Sequence, residues 1–243
     1  MSRKPPGPTL RGMASDQAQR HYRGDAGRHY HLAKRGLPQE ALPWVARLRS
    51  RKFAPLVRAG DVVLEYGVGA GWNLAGLACQ RKIGFDVADF LEPSLRALGI
   101  EFVADTHPLP DALADVMLCH HTLEHLLQPA DSLKEMRRLL KPEGRLLLYV
   151  PFERGRGCAD FRRDEPNHHL YSWNVQTLGN LVEESGFKTT DAGLGEFGYS
   201  RFAAVWAVKL RLGERGFRCL RRLLHVIRPA YEVRLIALKA PGA

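Results

Sequence analysis

The chain has 243 residues, of which 45% are hydrophobic and 26% are charged, and it carries a formal net charge of +10. This composition is typical of a globular protein and excludes fibrous, low-complexity and disulfide-rich classes. No apolar run approaches the ~18 residues that cross a bilayer. Four scattered cysteines without a Cys-x-x-Cys pair indicate free thiols in a reducing compartment. The positive charge favours anionic partners over neutral ones.

Three regions are expected along the chain. Residues 1–15 are rich in Pro, Gly and basic side chains and predict a disordered basic tail, with an organelle transit peptide as the alternative. Residues 16–60 begin with a polar stretch dense in His and Tyr and continue with helical spacing of apolar residues over 42–57. We expect a lid or helical segment there, and a solvated arm is the other interpretation. Residues 61–243 are expected to form the main domain.

A glycine-rich turn follows the first predicted strand of that domain. The apolar run from 61 ends in Glu65, and Gly67, Gly69 and Gly71 precede a helix predicted from 72 to about 80. Glycine permits positive φ and the close approach of a ligand to the backbone, and the amides at the start of the helix face that ligand. The Gly-x-Gly-x-Gly spacing differs from that of dinucleotide-binding turns. An acid two residues before the first glycine suits a ligand that carries an ammonium group.

Further strands and helices alternate through the first two thirds of the chain, which predicts a parallel sheet. Strands are expected at 82–86, 100–104, 116–119 and 145–150, helices at 93–98 and from Asp131 as N-cap to 140, and a turn at 141–144. Asp86 lies 21 residues after Glu65, which is typical of a carboxylate that binds ribose hydroxyls, although an exposed strand-end Asp would look the same. Glu65, Asp86, Asp105 and His121 should meet at the carboxyl edge of this sheet.

The C-terminal third predicts two more strands, at 187–193 and 231–238, with an insertion at 201–228 between them. Gly213 and Gly216 are expected to break this basic, apolar insertion into two helices. Three interpretations stay open: a helical cap with solvated arginines, contact with an anionic membrane surface, and contact with nucleic acid. Nucleic acid is the least favoured, because aromatic residues are not interleaved for base stacking.

The stretch from 62 to 152 resembles the class I S-adenosylmethionine (SAM)-dependent methyltransferases of small-molecule type. The segments that carry the resemblance are EYGVGAG at 65–71, GFD at 84–86, VAD at 103–105, LP at 109–110, ADVM at 114–117, LEH at 123–125 and KPEGRLLL at 141–148. The resemblance implies an α/β fold with a doubly wound, seven-stranded Rossmann-like sheet whose last strand is antiparallel, and residues 174–187 look like the family's helix before its sixth strand. This chain adds N-terminal helices, and a helical insertion before the last strand where the family usually has a short hairpin. It also implies that SAM is held by Glu65 and the glycines at its methionine end, by Asp86 at the ribose and by Asp105 at the adenine. Thr106 and His121 complete the expected cofactor-binding set.

A second set of residues could bind a divalent metal. His121, Glu124 and His125 would share a face if their segment were helical, and His169 lies four residues before Trp173. This combination is similar to metal-assisted O-methyltransferases of RNA 3′ termini and of catechols, although His121 stands where those enzymes have Glu. That replacement favours a softer ion than magnesium, or no ion. His121 and His169 are also the candidate proton acceptors or substrate contacts.

The leading interpretation is an enzyme that transfers the SAM methyl group by direct displacement to a hydroxyl of a small or lipid-linked molecule. The alternatives are a metal-assisted 2′-O-methyltransferase of RNA termini and a non-catalytic SAM-fold module that docks on anionic membrane or RNA. We expect a cytoplasmic protein, with peripheral membrane association through 201–228 left open. The acceptor and the oligomeric state are not readable from the sequence.

Overall fold

The computed structural model describes residues 21–34, 36–153, 160–163 and 167–241. The tail expected at 1–15, and Cys158 among the thiols, lie outside these ranges. Cys79, Cys119 and Cys219 are free. None of the helices within the described ranges is both long enough and apolar enough to cross a membrane.

The described chain forms a seven-stranded sheet with helices on both faces. The helices are α1 (Gly24–Lys34), α2 (Leu42–Phe53), α3 (Trp72–Ala75), α4 (Glu92–Ala97), α5 (Pro129–Leu139), α6 (Val175–Glu184), α7 (Ser200–Lys209) and α8 (Gly213–Ile227). The strands are β1 (Val62–Tyr66), β2 (Arg81–Phe85), β3 (Glu101–Val103), β4 (Ala114–His120), β5 (Leu140–Pro151), β6 (Phe187–Glu196) and β7 (Tyr231–Lys239). Short 3₁₀ turns occupy Gln39–Ala41, Ala54–Leu56, Asp89–Leu91 and Leu123–His125.

The strand order is β3-β2-β1-β4-β5-β7-β6. Strands β1 to β5 pair in parallel, and β7 runs antiparallel between β5 and β6. The order reverses between β1 and β4, so a crevice opens there beyond the carboxyl ends of the strands. The predicted doubly wound sheet with an antiparallel last strand is confirmed.

The central strands are apolar on both faces because helices cover both sides of the sheet. In β5, Leu146 and Leu148 face a core that includes the buried residues of α5 and α6. The alternate residues Leu147 and Tyr149 face a second core that contains Phe53 of α2. A third core joins α2 to α7 and α8.

Three predicted boundaries were wrong for identifiable reasons. Helix α3 has only four residues, because the chain at Gly76 approaches α2 so closely that its amide donates to Ser50 Oγ at 3.0 Å. Helix α5 begins at Pro129, which suits the first helical turn, so Asp131 lies inside that turn and is not the N-cap. Residues 141–144 form an irregularity within β5, between the pairs Ala114↔Leu140 and Val116↔Arg145, and do not form a separate turn.

The insertion forms two helices as predicted, and Gly213 begins the second of them. Gly216 does not separate the helices. It lies inside α8, where a Cβ would fall 2.1 Å from Leu212 Cβ, so glycine lets the first turn of α8 close against the connection.

Candidate functional site

The glycine turn after β1 is shaped by positive φ angles. Gly67, Gly69 and Gly71 have φ values of 80°, 50° and 74°. A Cβ at Gly67 would also fall 2.2 Å from Thr122 Oγ1, and a Cβ at Gly71 would fall 2.7 Å from Ile100 Cδ1. The chain's own packing therefore requires glycine at the first and last of these positions, and the turn curls over the end of β1.

Glu65 lies at the end of β1 with its side chain fully buried. Asn73 Nδ2 donates to its Oε1, but Oε2 has no hydrogen-bond partner among the described residues. Burial raises the pKa of Glu65 to about 8, although Asn73 and the nearby Arg49 oppose that shift. A buried carboxylate oxygen without a partner beside a glycine turn fits a ligand that brings a positive charge or a donor.

Asp86 follows β2 and contacts the same turn. Gly69 N donates to its Oδ2 at 2.9 Å, and Ala88 N donates to its Oδ1 at 3.0 Å. Burial raises the pKa of Asp86, whereas these backbone hydrogen bonds counteract it. Each oxygen keeps lone-pair capacity, so the carboxylate can still accept a hydrogen bond from a ligand.

Asp105 and Thr106 follow β3 at the same edge of the sheet. Asp105 is exposed and accepts hydrogen bonds from the backbone and the ring of His107, the latter at 2.7 Å, and these bonds lower its pKa. Thr106 is buried. The carboxyl ends of β1, β2 and β3 therefore bring the acidic side chains and Thr106 to one edge, as the sequence pattern predicts.

His121 lies immediately after β4 with a positive φ of 52°. Its ring stacks on His120, with 4.3 Å between the ring centroids, and its Nε2 lies 3.1 Å from Glu232 Oε2. Burial lowers the pKa of His121 to about 4, so the imidazole is neutral at neutral pH. Since a carboxylate can only accept, His121 Nε2 donates to Glu232 and leaves Nδ1 as an acceptor.

Glu232 on β7 and Lys52 on α2 belong to this cluster, and sequence reasoning missed both. Lys52 Nζ donates to Glu232 Oε1 and lies 3.9 Å from the centroid of the Tyr149 ring. Burial opposes ionisation of Glu232, but the contacts with His120, His121 and Lys52 outweigh it and lower the pKa of Glu232. Burial lowers the pKa of Lys52 to about 8 despite the carboxylate. The one sequence feature that could have indicated this cluster was Glu232, an acidic residue at the start of an apolar strand.

The four predicted metal ligands divide between two clusters. The segment Leu123–His125 is a 3₁₀ turn and not an α-helix, so His121 faces β7 and does not join Glu124 and His125. His169 does join them: its Nε2 lies 4.0 Å from Glu124 Oε1, and His125 Nε2 lies 3.8 Å from the same oxygen. All ligand atoms of this trio lie within 4.8 Å of one another.

Hydrogen bonds at the outer nitrogens orient both imidazoles of the trio. His125 Nδ1 lies 2.8 Å from the hydroxyl of Tyr22, and His169 Nδ1 lies 2.7 Å from Glu153 Oε1. Histidines that bind metals are usually held in this way by a carboxylate or another polar group. The donor set of one carboxylate and two imidazoles fits a divalent transition-metal cation such as Zn²⁺ or Mn²⁺.

The region that forms this edge of the sheet is similar in sequence to known methyltransferases. Residues 34–192, more than half of the chain, match the family model of a methyltransferase domain. A probable S-adenosylmethionine-dependent methyltransferase of Mycolicibacterium smegmatis is 34% identical over 149 residues, which are 57% of this chain and 56% of that protein. A tRNA U34 carboxymethyltransferase of Hydrogenovibrio crunogenus is 27% identical and matches 53% of this chain and 45% of its own length. The chain thus spans about half the length of these relatives.

Solved structures share the fold. The 1,6-didemethyltoxoflavin-N1-methyltransferase of Burkholderia thailandensis, solved with 1,6-didemethyltoxoflavin and S-adenosylhomocysteine, has a TM-score of 0.60 and 19% identity and covers 98% of this chain and 93% of its own. The [4+2]-cyclase SpnF has a TM-score of 0.54 and 21% identity, with 81% of each chain covered. At these identities the likeness shows the fold alone.

Proposed function

Because this chain belongs to the class I SAM-dependent methyltransferase family, we propose that it transfers a methyl group from SAM to an acceptor hydroxyl that binds beside His121. The observation that carries this proposal is the buried Glu65 oxygen that lacks a partner beside the glycine turn. When bound, SAM supplies an electrophilic methyl group on a positively charged sulfur. The reaction then needs mainly alignment of the nucleophile and exclusion of water.

Each acidic group at the sheet edge has a proposed contact with the cofactor. Glu65 Oε2 accepts from the ammonium of the methionine end, which supplies the missing partner of that oxygen. Asp86 accepts from the ribose hydroxyls, and Asp105 with Thr106 contacts the adenine. The amides of Gly67, Gly69 and Gly71 already donate to Phe85 O, Asp86 Oδ2 and Val68 O, so the turn contributes its shape and the acidic side chains make the proposed ligand contacts.

The cluster around His121 supports proton transfer from the acceptor. Nε2 of His121 is engaged by Glu232, so Nδ1 is available to take a proton from a hydroxyl. Glu232, held by Lys52, orients the ring and stabilises the imidazolium that forms. We propose a small or lipid-linked alcohol as the acceptor, because an alcohol needs a base to take its proton as it attacks, whereas an amine can lose its proton before it binds. His169, which is tied to Glu153, is proposed as a substrate contact.

Calorimetry with SAM and with its demethylated product tests the cofactor site. We expect binding of both by the wild type and at least about a tenfold loss of affinity in Glu65→Gln and in Asp86→Ala, since each removes a charge-assisted hydrogen bond. Glu101→Gln, which changes an exposed acid that pairs with Arg81 on β2, is the matched control. Absence of binding by the wild type would overturn the proposal and would favour the non-catalytic docking module.

Methyl-labelled SAM distinguishes the acceptor classes once binding is established. Small-molecule, lipid and RNA fractions are offered separately, and label in an alcohol of the first two supports the proposal. Label at RNA 3′ termini would favour the alternative of a metal-assisted 2′-O-methyltransferase. If the protein binds SAM but none of the fractions acquires label, methyl transfer to these acceptors is contradicted.

The trio of Glu124, His125 and His169 favours that alternative. Its inward Nε2 atoms and its carboxylate fit a divalent cation, which would act as a Lewis acid on the acceptor hydroxyl. His120, His121 and Glu232 are the other group of suitable spacing in the described chain, but the Lys52 ammonium already neutralises Glu232 there. The proposed metal site is therefore the trio, and it excludes His121.

Elemental analysis after incubation with Zn²⁺ or Mn²⁺ and gel filtration tests the trio. We expect retained metal in the wild type, its loss in His125→Ala and in His169→Ala, and no change in His29→Ala, which alters an exposed histidine of α1. A wild type that retains no metal, or a His125→Ala variant that retains it fully, would refute the site.

A further inference from the structure

The hairpin of α7 and α8, residues 200–227, carries more than half of the large hydrophobic side chains that are exposed in the described part of the chain. They are Phe202, Trp206, Leu210, Leu212, Leu223, Val226 and Ile227. Val226 and Ile227 are 81% and 70% exposed. Single exposed apolar residues are ordinary, but a concentration of them on one element marks an interaction surface.

The inner face of the hairpin is buried against the rest of the protein. Ala203, Ala204, Ala207 and Phe217 are buried against Ala41, Trp44 and Val45, at the start of α2 and in the turn before it. Arg47 of α2 pairs with Glu214 of α8 at 2.6 Å, which fixes the hairpin further. The exposed apolar residues therefore belong to the opposite, outward side of a firmly seated element.

Basic residues share that outward side. Arg215, Arg218 and Arg222 are exposed at helical spacing on α8, and Leu223 and Val226 continue the same face toward its end. Within the described chain no acidic group forms an ion pair with these three arginines. Residues 201–228 contain one acid, Glu214, which is occupied by Arg47.

The apolar ends of the two helices lie together. Tyr199, immediately before α7, donates from its hydroxyl to the carbonyl of Arg228, immediately after α8, at 2.6 Å. Phe202 in the first turn of α7 therefore lies at the same end of the hairpin as Val226 and Ile227. Beside them an open groove of about 440 Å³ is lined by Tyr199, Arg201, Phe202, Val205 and Trp206.

We propose that this outward face docks the protein on an anionic lipid surface. The exposed Phe, Trp, Leu, Val and Ile side chains enter the boundary between head groups and acyl chains, and the arginines bind the anionic head groups. The positive charge complements the anionic head groups, and the aliphatic surface complements the acyl chains. The proposal is independent of the proposed methyl transfer, because it concerns binding to a surface and not the acceptor.

Two other occupants fit the face less well. A second copy of the chain would bring like-charged arginines together, which opposes association. An RNA strand would match the charge, but five of the seven exposed apolar residues are aliphatic, and only Phe202 and Trp206 offer rings on which bases could stack.

Co-sedimentation of the full chain with vesicles tests the proposal. The vesicles are phosphatidylcholine alone or phosphatidylcholine with about 30% phosphatidylglycerol, each in low and high salt. We expect the protein to pellet with the anionic vesicles but not with those of phosphatidylcholine alone. High salt should weaken this binding. The triple variant Leu223→Gln/Val226→Gln/Ile227→Gln and the triple variant Arg215→Glu/Arg218→Glu/Arg222→Glu should each reduce binding about tenfold or more.

Matched controls keep the result interpretable. The triple variant Arg58→Glu/Arg163→Glu/Lys188→Glu changes the net charge equally on exposed residues outside the hairpin and should keep at least half of the binding. All replaced side chains are exposed, so thermal melts should stay close to that of the wild type. Absence of pelleting with anionic vesicles, or equal loss in the control, would overturn the proposal. A dimer that the Gln variant dissociates, or RNA binding without vesicle binding, would assign the face to another partner and would also overturn it.

Discussion

At the scale of single residues, burial of Glu65 lowers the stability of the ligand-free protein. Its carboxyl group is fully buried, and one of its two oxygens has no hydrogen-bond partner among the described residues, as expected if the proposed ligand supplies that partner. Burial raises its pKa from 4.5 to about 8. The folded state therefore holds a proton that the unfolded chain releases above about pH 4.5, and this group makes the free energy of unfolding fall between about pH 4.5 and about 8.

Glu65→Gln is expected to remove this pH dependence. The variant should have nearly the same free energy of unfolding as the wild type near pH 5 and should be more stable by about 1–3 kcal/mol near pH 9, because no charge is then buried. Urea denaturation at a series of pH values, without SAM, measures the difference. Glu101→Gln, at an exposed site, should track the wild type throughout. A Glu65→Gln curve parallel to that of the wild type would show that Glu65 ionises normally.

The sequence indicated Glu65, Asp86 and Asp105 because each ends a strand, so local pattern and sheet geometry together placed them. Glu232 could not be placed in this way. It reaches His121 through the antiparallel pairing of β5 with β7, where Pro151 pairs with Glu232. That contact joins residues 111 apart in the chain, and only the folded sheet specifies it.

At the scale of elements, Gly67 joins the turn after β1 to the segment after β4. Its φ is 80°, and a Cβ would meet Thr122 Oγ1 at 2.2 Å. Gly99 has a similar φ of 70°, but nothing lies within 4 Å of its added Cβ. Alanine at position 99 therefore bears only the energetic cost of a positive φ. Alanine at position 67 bears that cost and also the cost of a steric clash with Thr122.

Gly67→Ala should destabilise the protein by about 1–3 kcal/mol more than Gly99→Ala, which bears the conformational cost of about 1 kcal/mol alone. Chemical denaturation of both variants measures the difference. Adding Thr122→Gly to Gly67→Ala removes the opposing side chain and should recover most of the excess. Equal costs in the two single variants would mean that the turn moves away from Thr122 freely.

Element types were predictable because apolar runs and helical spacing are local properties, and every strand of the sheet was anticipated. Boundaries failed where tertiary contacts decide them. Helix α3 ends where Gly76 meets Ser50 of α2, and no local signal announces that contact. Residues 141–144 have the composition of a turn, yet pairing of Leu140 with Ala114 incorporates them into β5.

At the scale of the whole molecule, residues 21–34 lie against the carboxyl edge of the sheet. Tyr22 bonds to His125 after β4, and Arg28 of α1 lies over the ring of Phe90 after β2, with 4.9 Å from its guanidinium carbon to the ring centroid. These contacts support the proposal that residues 16–60 include a lid over the cofactor site. The parallel sheet followed from the alternation of strands and helices, whereas the position of this segment depends on contacts between residues far apart in the sequence.

Tyr22→Phe tests the lid, since it removes the hydroxyl that bonds to His125 Nδ1 at 2.8 Å and keeps the ring. Loss of one hydrogen bond that holds a closed lid should raise the dissociation rate of SAM by about 3–10-fold, with little change in melting temperature. Stopped-flow tryptophan fluorescence measures the rate, and Tyr171→Phe, which removes a hydroxyl bonded to the Leu127 carbonyl, is the matched control. A lid predicts faster dissociation in Tyr22→Phe alone. Equal rates in both variants would mean that the segment rests on the surface without restraining the ligand.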